Sequence, residues 1–206
     1  MDKEIIKKEF TPLVLCKLEG FRDELVRWNK KFSLTKVHDD LIFEKLIAPS
    51  AWLGARYAKE NVGLVADFGC GPGIPGMPMS IADVNNRYLL VDSNGKKMGF
   101  VRHCVKVLKI VDGSRVEARV ARITRETRLE QPVDRLVTRA AGDMKIVLKL
   151  WQGKAKPGAV ADFFKGIDAG REIEDLKEAM PHAETEYLDT PDWFGELKIV
   201  RVRGAF

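Results

Sequence analysis

Two residue types that build disulfide frameworks and metal sites are scarce in this sequence of 206 residues. It holds three cysteines and three histidines, namely Cys16, Cys70, Cys104, His38, His103 and His182. Both sets are dispersed along the chain, and neither has the close spacing of metal ligands. We therefore expect reduced thiols and no bound metal.

Long apolar runs, internal repeats and low-complexity tracts are lacking as well. No stretch approaches the roughly 20 apolar residues that a membrane span needs. The start of the chain, MDKEIIKKEF, contains no apolar run of secretory length. With 45% apolar residues the chain can bury one sizeable core, but it is short for two full domains. We expect a soluble cytoplasmic protein without membrane contact, built from one domain and an appendage.

Charge is distributed unevenly along the chain, although the formal net charge is only +5. Residues 94–158 carry sixteen Lys and Arg against six Asp and Glu, whereas residues 167–206 carry five against ten. A basic central surface suits a phosphate-rich partner. Charges scattered over the whole surface of the fold would give the same counts, so both interpretations stay open.

The first 60 residues have the pattern of helices. Between Thr11 and Phe32, apolar residues recur every three or four positions, with Thr11 as N-cap and Pro12 at the first helical position. Gly20 is a candidate break within this helix. A second helical stretch is predicted over residues 39–57, with an interruption at Pro49. These patterns predict an N-terminal helical cap over residues 1–60.

From residue 61 onward, short apolar runs alternate with amphipathic segments. The runs are VGLVADF at 62–68, RYLLVD at 87–92, SRVEARV at 114–120, VDRLVTR at 133–139 and GAVADFF at 158–164. This alternation is typical of a parallel, doubly wound sheet. Two more strands, around 184–188 and 196–203, are predicted as a hairpin-like edge pair. The predicted fold class is α/β, with a Rossmann-like, seven-stranded, mostly parallel sheet over residues 61–206.

The strongest motif is VADFGCGPG at 65–73, where an apolar strand is followed by alternating glycines. The strand delivers Asp67, and the glycines are Gly69, Gly71 and Gly73. Glycine lets the chain turn sharply and lets a ligand lie against bare backbone. The prolines of IPGMP at 74–78 suit the first turn of a helix. A helix N-terminus directed at this loop would favour the carboxylate of a bound amino-acid moiety.

Two cofactors compete for this motif. Gly71, Gly73 and Gly76 form a G-x-G-x-x-G, which on its own is a weak sign of a nicotinamide dinucleotide. S-adenosylmethionine is favoured because Asp67 lies two residues before the first of the alternating glycines, which come directly off the strand. Asp92, at the end of the second predicted strand, could accept hydrogen bonds from the ribose hydroxyls of either cofactor.

Several segments, in the same order along the chain, make this sequence similar to a known family. The loop DFGCGPGIPGMP at 67–78 resembles the Asp-x-Gly-x-Gly-x-Gly-hydrophobic-Pro-Gly-x-Pro loop of the RsmG (GidB) family of 16S rRNA guanine-N7 methyltransferases. Upstream, WNKKFSLT at 28–35 resembles the family's Trp-Asn-x-x-x-Asn-Leu-Thr, with Ser33 at the second asparagine. Downstream, DSNGKK at 92–97, RA at 139–140 and KG at 165–166 are similar to its Asp-Ser-x-x-Lys-Arg, Ser-Arg-Ala and Lys-Gly.

The resemblance implies an S-adenosylmethionine-dependent enzyme that methylates N7 of guanine 527, in the 530 loop of 16S rRNA. The partner would be 16S rRNA or a small ribosomal subunit particle, and we expect a monomer. The residues implied for the cofactor are Asp67, Gly69, Gly71, Gly73, Ile74, Asp92, Val120, Ala121 and Arg139. The candidate catalytic residues, which would hold guanine in line with the methyl group, are Asn29, Thr35, Arg139 and Lys165. The candidate RNA contacts are Lys30, Lys31, Lys36, Lys96, Lys97 and Arg102.

Three segments depart from the family pattern and keep other hypotheses open. The family's Arg-His and Asp-Ser-Leu in the second helix are EK at 44–45 and PSA at 49–51, and its Glu-Glu after the third strand is AR at 121–122. The acceptor could therefore be another RNA or a small molecule, or the chain could be a non-catalytic RNA-binding module. For Arg139, an ion pair with Asp134 or Asp143 is the alternative to a role in binding. A nicotinamide-dependent oxidoreductase is disfavoured because no hydride-transfer site is apparent.

Overall fold

A computed structural model describes residues 6–110, 115–139, 141–167 and 169–206. The α-helices are α1 (Pro12–Phe32), α2 (Ala48–Glu60), α3 (Gly76–Ala82), α4 (Gly95–Val107), α5 (Met144–Trp151) and α6 (Ala169–Ala179). The strands are β1 (Leu64–Phe68), β2 (Arg87–Asp92), β3 (Val116–Val120), β4 (Val133–Arg139), β5 (Ala155–Lys165), β6 (Glu184–Tyr187) and β7 (Lys198–Arg203). Ser114, in the predicted third strand, and Ala140, after the fourth, lie outside the described residues.

The strands form one seven-stranded sheet in the order β3-β2-β1-β4-β5-β7-β6. Strands β1 to β5 are parallel, whereas β7 runs antiparallel to both β5 and β6. The predicted fold class is confirmed, including the antiparallel pairing of the last two strands. Of the last two strands, only β6 lies at an edge of the sheet, because β7 is inserted between β5 and β6; β3 forms the opposite edge.

Helices cover both faces of the sheet, because alternate side chains of a buried parallel strand point to opposite faces. On one face, Val65 of β1 belongs to a core cluster with side chains from α1, α2, α3 and α4. On the other face, Ala66 belongs to a cluster with α5 and α6. The carboxyl ends of β1, β2, β4 and β5 therefore meet at one edge of the sheet between these layers, where open α/β sheets bind ligands.

Helix α1 is continuous, so the expected break at Gly20 is wrong. A Cβ built at Gly20 would lie 3.0 Å from Leu108 Cδ2. The absence of a side chain at Gly20 therefore allows α1 to pack closely against the segment after α4. The surrounding helical residues keep Gly20 in a helical conformation. As expected, Thr11 caps the helix by accepting a hydrogen bond from the Val14 amide at 3.4 Å.

The expected interruption at Pro49 is wrong, because Pro49 lies within the continuous helix α2; the irregularity comes before it, as a π-helical turn over Phe43–Ile47. Pro49 follows in the first turn of α2, which continues directly from the π-helical turn. Phe43–Ile47 is preceded by a 3₁₀ turn over Asp39–Leu41. The wide turn shifts the register of the side chains that precede α2, and π-helical turns are frequent at functional sites.

The N-terminal helices and the sheet share a buried polar contact as well as an apolar core. The Tyr57 hydroxyl, on α2, donates a hydrogen bond to Asp162 of β5. The guanidinium of Arg201 contacts both oxygens of the Asp162 carboxylate at 2.8 Å, and Arg135 lies 3.6 Å from it. The division of the chain into domains at residue 60 stays a prediction.

All three cysteines are free thiols, as expected. Among the residues with described positions, no cluster of His, Cys, Asp and Glu could hold a metal ion. Within the same ranges, no helix combines the length and the apolar character needed to cross a bilayer.

Candidate active site

The loop after β1 has the backbone conformation that its glycines make possible. Gly69, Gly71 and Gly73 have φ angles of +68°, +54° and +85°. Side chains rarely adopt this left-handed region, so these positions require glycine. The loop is fixed to the end of β2 because its Gly69 and Cys70 amides donate hydrogen bonds to Val91 O at 2.9 and 3.1 Å. Its alternating glycines therefore fold back over the end of β2.

Asp67 fixes the loop after β1 through a hydrogen bond to the start of α3. Its side chain is fully buried, and Oδ2 accepts a hydrogen bond of 2.6 Å from the Gly76 amide. Burial, opposed in part by this bond, raises the pKa of Asp67 to about 8. The buried Oδ1 atom has no hydrogen-bond partner among the described residues. Asp67 therefore fixes the start of α3 as a neutral carboxyl at neutral pH. It is not in the wall of the cavity described below.

The N-terminus of α3 differs from the expectation of an anion site. Its first amide, from Gly76, is taken by Asp67, and the Met77 amide donates to Gly73 O at 2.7 Å. Pro78 has no N–H to offer. The N–H groups of the first turn of α3 therefore have acceptors within the protein, and a ligand carboxylate would have to be bound elsewhere.

Asp92 ends β2 beside the glycine loop. Its Oδ2 atom accepts a hydrogen bond from the Gly71 amide at 2.8 Å, and its Oδ1 atom accepts one from the Asn94 amide at 2.8 Å. These bonds fix the orientation of the carboxylate and leave further lone pairs on both oxygens. The Lys97 ammonium lies over the loop, 3.8 Å from where a Cβ of Gly71 would be. Asp92 can therefore accept hydrogen bonds from vicinal hydroxyls at this position.

A cavity of about 770 Å³ opens over this loop at the carboxyl edge of the sheet. Eight of the predicted site residues line it, namely Thr35, Gly69, Gly71, Ile74, Asp92, Lys97, Ala121 and Arg139. Its walls also contain residues that the sequence patterns did not identify, namely Leu34, Leu46, Phe68, Ile123, Ala141 and Leu150. Phe68 lies within the glycine motif and Leu34 within the segment 28–35, but the others come from segments far apart in sequence, and no local signal marks them.

Other predicted residues lie behind the walls or outside the cavity. Asn29 Oδ1 accepts a hydrogen bond from the Thr35 amide at 2.9 Å, so it supports the loop that carries Thr35. Lys165 Nζ lies 2.6 Å from Glu172 and donates to Gly142 O at 3.1 Å, so it braces the segment after β4. Predicted residues that are also not in the wall are Gly73, Val120, Lys30, Lys31, Lys36, Lys96 and Arg102.

Arg139, at the end of β4, brings a guanidinium to the cavity. The ion pairs considered for it are not formed, because Asp134 binds Lys156 at 2.6 Å and Asp143 caps α5. Its buried Nη1 atom has no hydrogen-bond partner among the described residues. Burial lowers the pKa of Arg139 to about 10, so the guanidinium stays charged at neutral pH. Phe164 lies beside it, with the ring centre 5.8 Å from Cζ.

Cys70 lines the cavity but is buried, and burial raises the pKa of its thiol well above its usual range. It therefore lacks the thiolate character of a nucleophile. Its neighbour is the thioether of Met98, 3.5 Å away. The cavity thus offers binding and orientation rather than an activated nucleophile.

The inserted antiparallel strand distinguishes this fold from the dinucleotide-binding fold, whose strand order is 3-2-1-4-5-6. An S-adenosylhomocysteine complex of an O-methyltransferase from Bacillus cereus has the same fold, with a TM-score of 0.64 at 15% identity over 89% of this chain and 90% of that one. The O-methyltransferase TomG from Streptomyces achromogenes, solved with S-adenosylmethionine, gives 0.62 at 14% identity over 91% and 88%. The chain therefore has the Rossmann-like fold, with one inserted antiparallel strand, that these two methyltransferases share.

The family model of rRNA small subunit methyltransferase G (GidB) matches residues 15–197. Ribosomal RNA small subunit methyltransferase G of Pasteurella multocida is 31% identical over 87% of this chain and 82% of that protein. The protein of the same name from Xanthomonas oryzae pv. oryzae is 34% identical over 88% and 82%. The chain belongs to the rRNA small subunit methyltransferase G family, which confirms the family resemblance of its sequence.

Proposed function

We propose that this protein transfers the methyl group of S-adenosylmethionine to N7 of a guanine in 16S rRNA, at position 527 as the family resemblance implies. The observation that carries the proposal is the cavity in which the glycine loop, Asp92 and Arg139 come together, with Arg139 Nη1 unpaired among the described residues. Family membership supplies the class of reaction and the RNA. The cavity supplies the binding groups.

The residues of the cavity fit the cofactor. The bare backbone at Gly69 and the apolar side chain of Ile74 suit the methionine and sulfonium end, and the fixed carboxylate of Asp92 suits the ribose hydroxyls. Ala121 and Ile123 form an apolar wall for the adenine. The Ala121 amide already donates to Asp92 O at 3.0 Å, so Ala121 would act through surface contact.

When bound, S-adenosylmethionine supplies a methyl group on a positively charged sulfur. The N7 lone pair of guanine forms the new N–C bond as the C–S bond breaks, and the positive charge moves to the guanine ring. No proton leaves, so no general base is needed. The contribution of the protein is orientation and exclusion of water, and orientation alone can supply about 7 to 11 kcal/mol. Arg139 at the cavity and Thr35, fixed by Asn29, are suited to hold the reactants.

Basic residues around the cavity suit the RNA backbone. Lys97 lines the cavity itself, and Lys30, Lys31 and Lys36 flank the segment that carries Thr35. Lysines that contact phosphates release counterions, so binding through them weakens as salt increases. We propose that these residues bind 16S rRNA or a small-subunit particle, and that Lys96 and Arg102 extend the contact.

Two other functions remain as outcomes of the test. A different RNA or small-molecule acceptor is motivated by the departures at 44–45 and 121–122. A non-catalytic RNA-binding module would retain the fold without using the cofactor. Calorimetric titration with S-adenosylmethionine, with NAD as the control ligand, separates the module from the enzymes. Methylation of small subunits isolated from a strain that lacks the N7 methyl group separates the acceptors.

The matched variants for this test are Asp92→Ala and Asp175→Ala, since Asp175 is exposed on α6. Losing hydrogen bonds to a charged carboxylate removes about 1.5 to 3 kcal/mol each, so Asp92→Ala should weaken the cofactor at least about tenfold. Asp175→Ala should bind like the unchanged protein. Equal affinity of both variants would contradict the placement of the ribose, and transfer to no guanine of the subunit would contradict the proposed acceptor.

A further inference from the structure

A second cavity, of about 320 Å³, adjoins the cofactor cavity, and Arg139 is part of the wall of both. Its other walls include Glu44, Pro49, Trp193, Phe194 and Glu196. The volume lies at the lower end of the ~300 to 1,000 Å³ range of ligand pockets. A molecule in this cavity would meet the cofactor cavity at Arg139.

The topology of the sheet explains why these residues meet. Because β7 runs antiparallel to β5, with Lys198 paired to Lys165, the turn before β7 lies at the carboxyl edge of the parallel strands. This turn carries Trp193 and Phe194. From the other side, the π-helical turn Phe43–Ile47 presents Glu44 to this cavity and Leu46 to the cofactor cavity.

Two buried hydrogen-bond donors of this wall have no acceptor among the described residues. They are Arg139 Nη1 and Trp193 Nε1. Buried donors are nearly always paired in folded proteins, so an acceptor on a bound molecule would complete the pairing that the described residues leave open. The same cavity is lined by the carboxylate residues Glu44 and Glu196 and by Lys45. Glu44 is half-buried, also lines a further cavity, and forms no ion pair within the described ranges. The Trp193 and Phe194 rings, 4.6 Å apart, provide an aromatic surface.

We propose that this second cavity binds the acceptor guanine, flipped out of the RNA, and that Glu44 selects guanine over adenine; this inference rests on the proposed function. Enzymes that modify a base take it out of its stack and read its edges. Guanine carries the acceptors O6 and N7 on one edge and the donors N1–H and N2–H₂ on the next. Arg139 donates to O6 and directs N7 towards the cofactor cavity, while Glu44 accepts from N1–H and N2–H₂.

Adenine has the opposite pattern at these positions. Its N6 amine would face the Arg139 donors, and its N1 lone pair would face the Glu44 carboxylate. A site built to form hydrogen bonds rejects a ligand that leaves its buried groups unpaired. The family pattern has an arginine where this chain has Glu44, so guanine selection through a carboxylate is an inference about this chain in particular.

The first test measures binding without turnover. Guanosine 5′-monophosphate and adenosine 5′-monophosphate are titrated into the complex of the protein with S-adenosylhomocysteine. The variants are Glu44→Gln, Trp193→Phe, which keeps a ring and removes the donor, and Glu178→Gln as the matched control, since Glu178 is exposed on α6. We expect a guanine preference that Glu44→Gln reduces by about ten- to a hundredfold. Trp193→Phe should weaken both nucleotides, and Glu178→Gln should change nothing.

The second test measures transfer to small subunits that carry guanine or inosine at the methylated position. Inosine lacks the N2 amine, so the unchanged protein should prefer guanine, whereas Glu44→Gln should treat the two alike while keeping its affinity for S-adenosylmethionine. Full guanine preference in Glu44→Gln, in binding and in transfer, would overturn the inference. Guanine-selective binding that depends on Glu44, without transfer to rRNA, would support the cavity and refute the proposed function instead.

Discussion

Replacing Asp67 by asparagine should change how the free energy of unfolding depends on pH. The pKa of Asp67 is raised by burial from 3.8 to about 8. At a pH between these two pKa values, Asp67 is protonated in the native state but has lost its proton in the unfolded chain. The contribution of Asp67 to the free energy of unfolding is therefore fully present below the pKa of the unfolded state. It is lost as the pH rises through the pKa of the folded state. Asparagine carries no such proton, so the free energy of unfolding of the variant lacks this dependence on pH.

The size of the effect follows from the width of the pH window. One pH unit in which the native state binds one extra proton changes the free energy of unfolding by about 1.4 kcal/mol. Between pH 5 and pH 8, the unchanged protein should therefore lose about 4 kcal/mol relative to Asp67→Asn. Asparagine can still accept the Gly76 hydrogen bond through its carbonyl oxygen, which keeps the two folded states comparable.

Urea unfolding at pH 5, 6, 7 and 8 measures this difference. Subtracting the two free energies at each pH cancels the titration of all other groups. Asp175→Asn, at an exposed position on α6, is the control and should run parallel to the unchanged protein. If Asp67→Asn also runs parallel, Asp67 is ionised in the native state and a carboxylate anion, not a neutral acid, holds the glycine loop.

Four more substitutions test the packing and charge of the site region. A Cβ at Gly76 would lie 2.1 Å from Leu90 Cδ2, so Gly76→Ala should cost about 1 to 3 kcal/mol in urea unfolding, as overpacking does. Gly99→Ala, with nothing within 4 Å of the new Cβ, should instead stabilise α4 by roughly 0.5 to 1 kcal/mol. Asp162→Ala removes the acceptor of Arg201 from a fully buried cluster and should cost about 3 to 5 kcal/mol. Arg139→Met removes a buried nitrogen that has no partner among the described residues, so the thermal midpoint should hold or rise while methyl transfer falls about a hundredfold or more.

Each of these has an outcome that contradicts its reasoning. A Gly76→Ala protein as stable as Gly99→Ala would mean that the loop shifts freely away from Leu90. An Asp162→Ala protein of unchanged stability would mean that water reaches the cluster. A destabilised Arg139→Met protein would mean that the guanidinium has a structural partner, and full methyl transfer would remove it from the reaction.

Local patterns in the sequence determined most of the sheet and the cofactor loop. Strand patterns identified all seven strands. For buried parallel strands such as β1 and β2 the reason is that they are short apolar runs whatever their neighbours are. Gly69, Gly71 and Gly73 marked the loop because only glycine adopts its backbone angles readily. Asp92 followed from its place at the end of a strand. These features depend on a few adjacent residues, so a sequence reveals them.

Only the tertiary structure decided what surrounds that loop. Leu34, Leu46 and Leu150 line one cavity although the chain places them far apart, and Asn29 and Lys165 brace neighbouring segments from outside it. The insertion of β7 between β5 and β6 brings Trp193 to the carboxyl edge, and no local signal encodes that strand order. Contacts of this kind depend on which distant surfaces pack together, and the free energy of that packing belongs to the whole chain rather than to any segment.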